Sequence, residues 1–345
     1  MDGVCHSVAG VPCPVTNFFT FMILLSIVYF IVGIALIIFG ADWLTKGASD
    51  MARRLKMSEL MIGLTIVAVG TSLPELVISV SSALSGNSGI SLGNVLGSNI
   101  FNGMLILGIT AMITPITFSG KMLSRELPFN LLASVVVILV SGSMLVGGAR
   151  GEYITRYGGM LLLCFCAVFV RYTFSLKGEE DGAEAQQPMS VGKIVLFIAG
   201  GLAALIFGGK IFVEGASDIA RLFGLSEALI GITIVSAGSS LPELAVSVSA
   251  ARKGNVGIAL GNVLGSNILN VFFILGCSAT ISPISLNGFS PVDYYVLLVS
   301  SLFIYIFAAF FGKNKITRIE GFMLVAGYVA YLSYLVVAEM NRIEG

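Results

Sequence analysis

Charge is the property this sequence has least of. Aspartate, glutamate, lysine and arginine together make up 11% of its 345 residues, against about 25% in soluble domains. The 19 basic and 19 acidic residues cancel to a formal net charge of zero. No basic face is therefore available to meet phosphates, which excludes a nucleic-acid partner. Histidine is nearly missing as well. His6, in the N-terminal tail, is the one copy, which argues against a zinc, haem or histidine-base enzyme. The five cysteines are Cys5, Cys13, Cys164, Cys166 and Cys277. Cys5 and Cys13 either bridge or stay free. Cys164 and Cys166 form a C-x-C inside an apolar run and read as small buried hydrophobes. Met1 to Asn17 has no basic n-region, so no cleaved signal peptide is expected.

What the chain has instead is apolar length. Fully 56% of it is hydrophobic, and a membrane-spanning helix needs about 20 mostly apolar residues. Ten such segments begin near Phe19, Glu59, Ile90, Pro128, Tyr157, Gly192, Glu227, Ile258, Pro291 and Glu320. The expected protein is all-α and integral to the membrane. It divides into a tail (1–17), a first half (18–177), a polar loop (178–190) and a second half (191–345). If the N-terminus lies outside and loops alternate, only Arg150, Arg156, Lys210, Arg221 and Arg342 of the 19 basic residues fall outside, leaving 14 inside. That bias predicts both termini on the non-cytoplasmic side.

The two halves are copies. GASDMAR at Gly47 returns as GASDIAR at Gly215, GTSLPE at Gly70 as GSSLPE at Gly238, GNVLGSNIFN at Gly93 as GNVLGSNILN at Gly261, and ITPI at Ile113 as ISPI at Ile281. Every match has the same offset, 168 residues from Glu75 to Glu243. Each copy holds five spans. An odd number makes the second copy enter from the opposite face, so the repeats are inverted, as in many secondary transporters.

The repeated words carry the chemistry. A carboxylate in hydrocarbon is costly and usually functional. Pro74 and Pro242 break the helix beside Glu75 and Glu243 and free carbonyls one turn back. Helical spacing of three and four puts Thr71, Ser72 and Glu75 on one face, and Ser98 and Asn102 on another. The second copy supplies Ser239, Ser240, Glu243, Ser266 and Asn270. All of these offer hard oxygen, the ligand type of calcium and sodium. Two glutamates balance one divalent cation, two sodium ions or two protons. Ser79, Ser81, Ser247 and Ser249 read as packing residues. Asn94, Asn99, Asn262 and Asn267 either join the oxygen set or hold the bends, and Asp50 and Asp218 read as helix-end partners.

GTSLPE with GNVLGSNIFN, repeated as GSSLPE with GNVLGSNILN, resembles the two alpha-repeats of the calcium/cation antiporter superfamily. Within it the chain is most similar to bacterial calcium/sodium antiporters related to potassium-dependent sodium/calcium exchangers. The resemblance implies ten helices, with the second, third, seventh and eighth broken around a midplane cation site and the first and sixth sliding across that core. It implies calcium ligation by Glu75, Glu243, Thr71 and Ser239. For sodium it implies Ser72, Ser98, Asn102, Ser240, Ser266 and Asn270, the carbonyls of Ala68 and Ser236, and both glutamates. Two positions depart from that pattern: Ser239 replaces a common Thr, and Asn270 replaces an Asp of several exchangers, which removes a possible third charge. The partners implied are calcium, sodium and the lipid bilayer of an inner (plasma) membrane, with potassium as a further candidate ion and no resident cofactor. Nothing in the sequence specifies an oligomeric state. The expected activity is calcium export against sodium by alternating access. Proton/calcium exchange is the alternative, and a passive channel and an intramembrane hydrolase are the other classes; the spans hold no paired aspartates and no serine with a histidine or lysine base.

Overall fold

The computed structural model of the chain describes residues 14–120, 122–141, 153–175, 189–224, 230, 234, 236–286, 289–311 and 314–344. The tail with Cys5 and Cys13, most of the 178–190 loop and the expected span start at Glu227 lie outside the described residues.

Helices dominate, as the apolar runs require. They are α1 (Pro14–Leu55), α2 (Glu59–Thr71), α3 (Leu73–Leu84), α4 (Gly89–Ile113), α5 (Met122–Val140), α6 (Arg156–Ser175), α7 (Val191–Leu222), α8 (Leu241–Arg252), α9 (Val256–Ile281), α10 (Pro291–Phe311) and α11 (Arg318–Glu344). Among the described residues, eight are long and apolar enough to cross a membrane, and α2 with α3, bent by 48°, makes a ninth. The tenth expected span starts in the undescribed segment and continues as α8. Local signals set the ends. Lys56 adopts the left-handed conformation (φ 52°) that terminates α1. The Ser58 side chain caps the start of α2, and Ser290 with Asp293 forms a capping box on α10. The fourth helix begins at Met122, ahead of the expected Pro128. A wide π turn over Met122–Glu126 precedes the proline, so the missing proline N–H falls in the first α turn, where it costs little.

Inversion is visible in how α1 meets α7. Both carry glycines seven residues apart, Gly33, Gly40 and Gly47 against Gly201, Gly208 and Gly215. A Cβ on Gly33 would lie 2.6 Å from the Phe212 nitrogen, one on Gly40 2.8 Å from the Gly201 oxygen, and one on Gly47 2.9 Å from Ile198. The partner number falls as the glycine number rises, so these equivalent helices run antiparallel, backbone against backbone. Short strand pairs tie the loops. β1 (Ile116–Thr117) pairs with β4 (Lys315–Ile316), and β2 (Tyr153–Ile154) with β3 (Ile284–Ser285). The 3–4 and 9–10 connections therefore share one face, and the 4–5 and 8–9 connections share the other.

The middle of the molecule is formed by the repeated words. The most apolar windows of α9 and α4 are 94% and 72% buried, against 17% for α1 and 11% for α11. The outer helices turn Ile31, Phe39, Phe322 and Val329 outward, as a lipid-facing rim would. Cys166 is buried as expected, but Cys164 is exposed; two residues apart on a helix point to different sides.

Candidate functional site

The breaks come first, because they position everything else. Ser72 (φ −83°, ψ 9°) and Ser240 (φ −91°, ψ 8°) separate α2 from α3 and the Ser236–Gly238 turn from α8. Both occupy the sparsely populated bridge region. The repeated SLPE sequence thus produces the same kink twice. Glu75 and Glu243 follow in the first turn of the helix after each kink. There the unpaired N–H groups favour negative charge.

Each carboxylate is 1% exposed, and each is held by the other copy. The Ser240 hydroxyl donates to Glu75 Oε1 at 3.1 Å, and the Ser72 hydroxyl donates to Glu243 Oε1 at 3.0 Å. Ser240 also reaches the Ser98 hydroxyl at 3.1 Å, and Ser266 donates to Glu243 Oε1 at 3.5 Å. Thr71 and Ser239 interact with the same crossed partners, Thr71 with Glu243 and Ser239 with Glu75. Helical spacing put Thr71, Ser72 and Glu75 on one face, yet the structure pairs these hydroxyls across the repeat. The bend at Ser72 interrupts the helix between them, so the i, i+4 relation does not survive.

A second layer braces the kinks. The Asn94 amide donates to the Glu75 carbonyl (3.2 Å) and Ser79 Oγ (3.0 Å), and the Asn262 amide to the Glu243 carbonyl (3.1 Å) and Ser247 Oγ (3.0 Å). Thr71 donates to Asn262 Oδ1 at 3.0 Å, and Ser239 to Asn94 Oδ1 at 3.5 Å. These asparagines hold the bends, and Ser79 and Ser247 are their anchors as well as packing residues. Ser249 is also more than packing, because it donates to Asp42 on α1 at 2.6 Å. Asp50 and Asp218 stay outside the cluster and pair with Arg53 and Arg221 one turn on.

Asn102 and Asn270 sit at the other side of the cluster, in π turns over Phe101–Ile106 and Asn270–Leu275. The third and eighth helices were expected to be broken. They run on instead, and the π turn supplies the irregularity, a form frequent at functional sites. Symmetry fails here. Asn270 donates to Asn99 Oδ1 at 3.1 Å, whereas both amide atoms of Asn102 and Oδ1 of Asn267 are buried without a hydrogen-bond partner among the described residues. Oε2 of Glu75, Oε2 of Glu243 and Oδ1 of Asn270 are in the same condition. The Ala68 carbonyl accepts from the Ser72 N–H at 3.0 Å and faces the Thr71 hydroxyl at 3.4 Å. Ser236 opens the turn before the second kink.

Chemically the cluster is two carboxylates, short hydroxyls and amides. Among the described residues neither glutamate forms an ion pair, and no group of three or more His, Cys, Asp or Glu side chains is gathered. Its oxygen-rich, nitrogen-poor donor set is suited to hard cations and offers no nucleophile–base pair.

A family model described as sodium/calcium exchanger protein matches residues 25–175 and 193–337. The sodium/calcium exchanger MaX1 of Methanosarcina acetivorans is 35% identical over 352 residues, covering 91% of this chain and 99% of that protein. The inner membrane protein YrbG of Escherichia coli is 34% identical, covering 90% and 97%. Among solved structures, the sodium-calcium exchanger NCX_Mj soaked with sodium and without calcium superposes with a TM-score of 0.78 at 31% identity, over 90% of this chain and 99% of that one. With both halves matched and the kinked, inverted repeats in place, this multi-pass membrane protein belongs to the sodium/calcium exchanger family, a family of antiporters and not of enzymes.

Proposed function

We propose that the chain is a secondary antiporter that moves calcium out of the cytoplasm against inward sodium, exposing the Glu75–Glu243 cluster to each side in turn. One observation carries this reading. Two carboxylates are buried together with one oxygen each unpartnered, and no basic side chain among the described residues is paired to either. Burying such charges uncompensated costs of order several kcal/mol per ion, and a bound cation removes that cost. In this reading Glu75, Glu243, Thr71 and Ser239 take calcium. Ser72, Ser98, Asn102, Ser240, Ser266 and Asn270, with the Ala68 and Ser236 carbonyls and the shared glutamates, take sodium. No resident cofactor is involved. The neutral hydroxyl and amide oxygens favour sodium over protons as counter-ion, because protonating two carboxylates requires no further ligands. The names of MaX1 and NCX_Mj point the same way.

The two-half division at the 178–190 loop belongs to the same reading. So does a cell (inner) membrane location with both termini outside, which places the β1–β4 face in the cytoplasm. Calcium flux in proteoliposomes under an imposed sodium, potassium or proton gradient tests the function. A sodium gradient should drive calcium uptake at constant pH. Flux that follows a pH gradient with sodium absent would transfer the mechanism to protons.

A further inference from the structure

The pseudo-symmetry also breaks at one cavity. It has a volume of about 530 Å3, lies between α3, α4, α10 and α11, and is lined by Asn94, Ser239, Asp293 and Tyr331 among mainly apolar side chains such as Ile90 and Phe289. Ser239 and Asn94 are the hydroxyl and amide that contact the Glu75 side of the cluster. The cavity belongs to the face of the β2–β3 pair, where Ser88 accepts a hydrogen bond from the Ser285 N–H. On α4, Ile90 is 53% exposed, and a Cβ on Gly93 would meet nothing nearer than Phe289 at 3.5 Å. At the equivalent positions of the second copy the space is closed. Ile258 is fully buried, and a Cβ on Gly261 would lie 2.5 Å from the Leu60 carbonyl.

Two carboxylates outside the central cluster follow this asymmetry. Asp293, in the first turn of α10, lines the cavity. Its Oδ1 accepts from the Tyr331 hydroxyl of α11 at 2.8 Å, and its Oδ2 from the Ser290 N–H at 3.1 Å. In the first copy, Glu126 at the start of α5 accepts from the Tyr172 hydroxyl of α6 at 2.7 Å. Ser134 and Ser301, 167 residues apart, hydrogen-bond where α5 crosses α10 at 2.7 Å. Glu126 and Asp293 have that same separation. Each copy therefore places a carboxylate at the entry of its fourth span and a tyrosine hydroxyl from its fifth span upon it, on opposite faces. The two differ in access. Asp293 borders open space, whereas Glu126 is 1% exposed with Oε2 unpartnered among the described residues. Capping accounts for one Asp293 oxygen, but no cap accounts for an unpartnered buried oxygen on Glu126.

We infer that the cavity is the cation route between the β2–β3 face and the central cluster, that Asp293 is its cation-attracting carboxylate, and that Glu126 performs the same task when the opposite face opens. The inference rests on the antiporter reading above. It adds a pair of entry residues, one per face, that position ions by charge without holding them in the central site.

The test uses the full chain in vesicles of a single orientation and follows calcium-for-calcium exchange with radioactive calcium. This exchange needs neither sodium nor protons, so its outcome is independent of which ion drives net transport. Asp293→Asn removes the charge and keeps one of the two acceptor oxygens, so either the Ser290 N–H or the Tyr331 hydroxyl loses its acceptor, a loss that Tyr331→Phe measures separately. Asp293→Asn should raise the apparent KM for calcium at the β2–β3 face by roughly three- to tenfold at low ionic strength. The maximal rate should stay within about twofold, and the difference should shrink in high salt, where a charge acting through water is screened. Asp293→Glu should restore the KM, and Glu126→Gln should raise it only at the opposite face. An unchanged KM for Asp293→Asn at its own face, or an increase equal on both faces or insensitive to salt, overturns the inference. If Asp293→Asn fails to accumulate in the membrane, Asp293→Glu with Tyr331→Phe decides. The inference predicts near-normal KM in both, and a raised KM in Asp293→Glu overturns it.

Discussion

Ser72 and Ser240 do two things at once. Each supplies the unusual backbone turn that breaks its helix, and each donates its hydroxyl to the glutamate of the other copy. The glutamates therefore read their environment from across the repeat, and either substitution disturbs both halves. Glu75→Gln and Glu243→Gln keep an acceptor for the crossed serine and remove a buried charge. Calcium flux should fall at least tenfold in each while the unfolding temperature in calcium-free buffer holds or rises, since like charges no longer face one another. Binding offers a second readout. Calcium at a hundred times its Kd should stabilise the wild type by about 2.7 kcal/mol, and that stabilisation should vanish in both variants. Retained calcium-for-sodium exchange in either would separate that glutamate from the site. The residue types of this cluster were legible in the sequence, because an acid within a membrane span is too costly to keep unless it serves a bound ion or partner. The crossed pairing was not, because it depends on which copy's helix lies adjacent. The bracing role of Asn94 and Asn262 was one of two open readings and is now resolved by their two bonds each.

At the scale of elements, the contrast is between α1–α7 and the rest. The broken and π-turned helices carry polar groups inward, whereas α1 and α7 approach at glycines spaced seven residues apart, Gly33 to Gly47 against Gly201 to Gly215, with Phe30–Phe212 and Trp43–Phe197 ring contacts beside them. Such a seam brings the two backbones into close approach at each glycine. It suits two helices that move together over the core, as the resemblance implied. Its signal was present in the sequence as glycines every seven residues in both copies, but glycine spacing does not name a partner helix. Gly201→Ala would bring a Cβ to 2.6 Å from the Leu44 backbone nitrogen. This should cost roughly 1–3 kcal/mol and lower transport. Gly192→Ala, on the same helix with nothing within 4 Å, should change stability by no more than about 0.5 kcal/mol. Thermal unfolding in detergent compares the two, and equal effects would remove the seam's structural role. The position of Pro128 makes a related point. Hydropathy placed the fourth span at the proline, and the π turn that precedes it could not be foreseen, because five-residue hydrogen bonding has no residue signature.

At the scale of the whole molecule, the strand pairs make sidedness testable without knowing the transported ion. Cysteines introduced at Thr117 and Lys315 should react with a membrane-impermeant thiol reagent from one side, and cysteines at Tyr153 and Ser285 from the other. Positive-inside counting puts the first pair in the cytoplasm. Labelling of Thr117 and Lys315 positions from opposite sides would contradict the fold, and labelling of both from outside would reverse only the orientation. The sequence by itself determined that the chain spans a membrane, that it is duplicated, that an odd number of spans inverts the copies, and that hard oxygen gathers in the repeated words. These are properties of single segments and their count. Only the tertiary structure decided that hydroxyls serve the opposite copy's glutamate, that α1 lies antiparallel on α7, and that a cavity reaches Asn94 and Ser239 beside Gly93 while the equivalent Gly261 is packed against the Leu60 carbonyl. Nearly identical repeats specify nearly identical local structure, but two faces of one site cannot be open together in an antiporter. The choice between them lies in packing, which the sequence of neither copy contains.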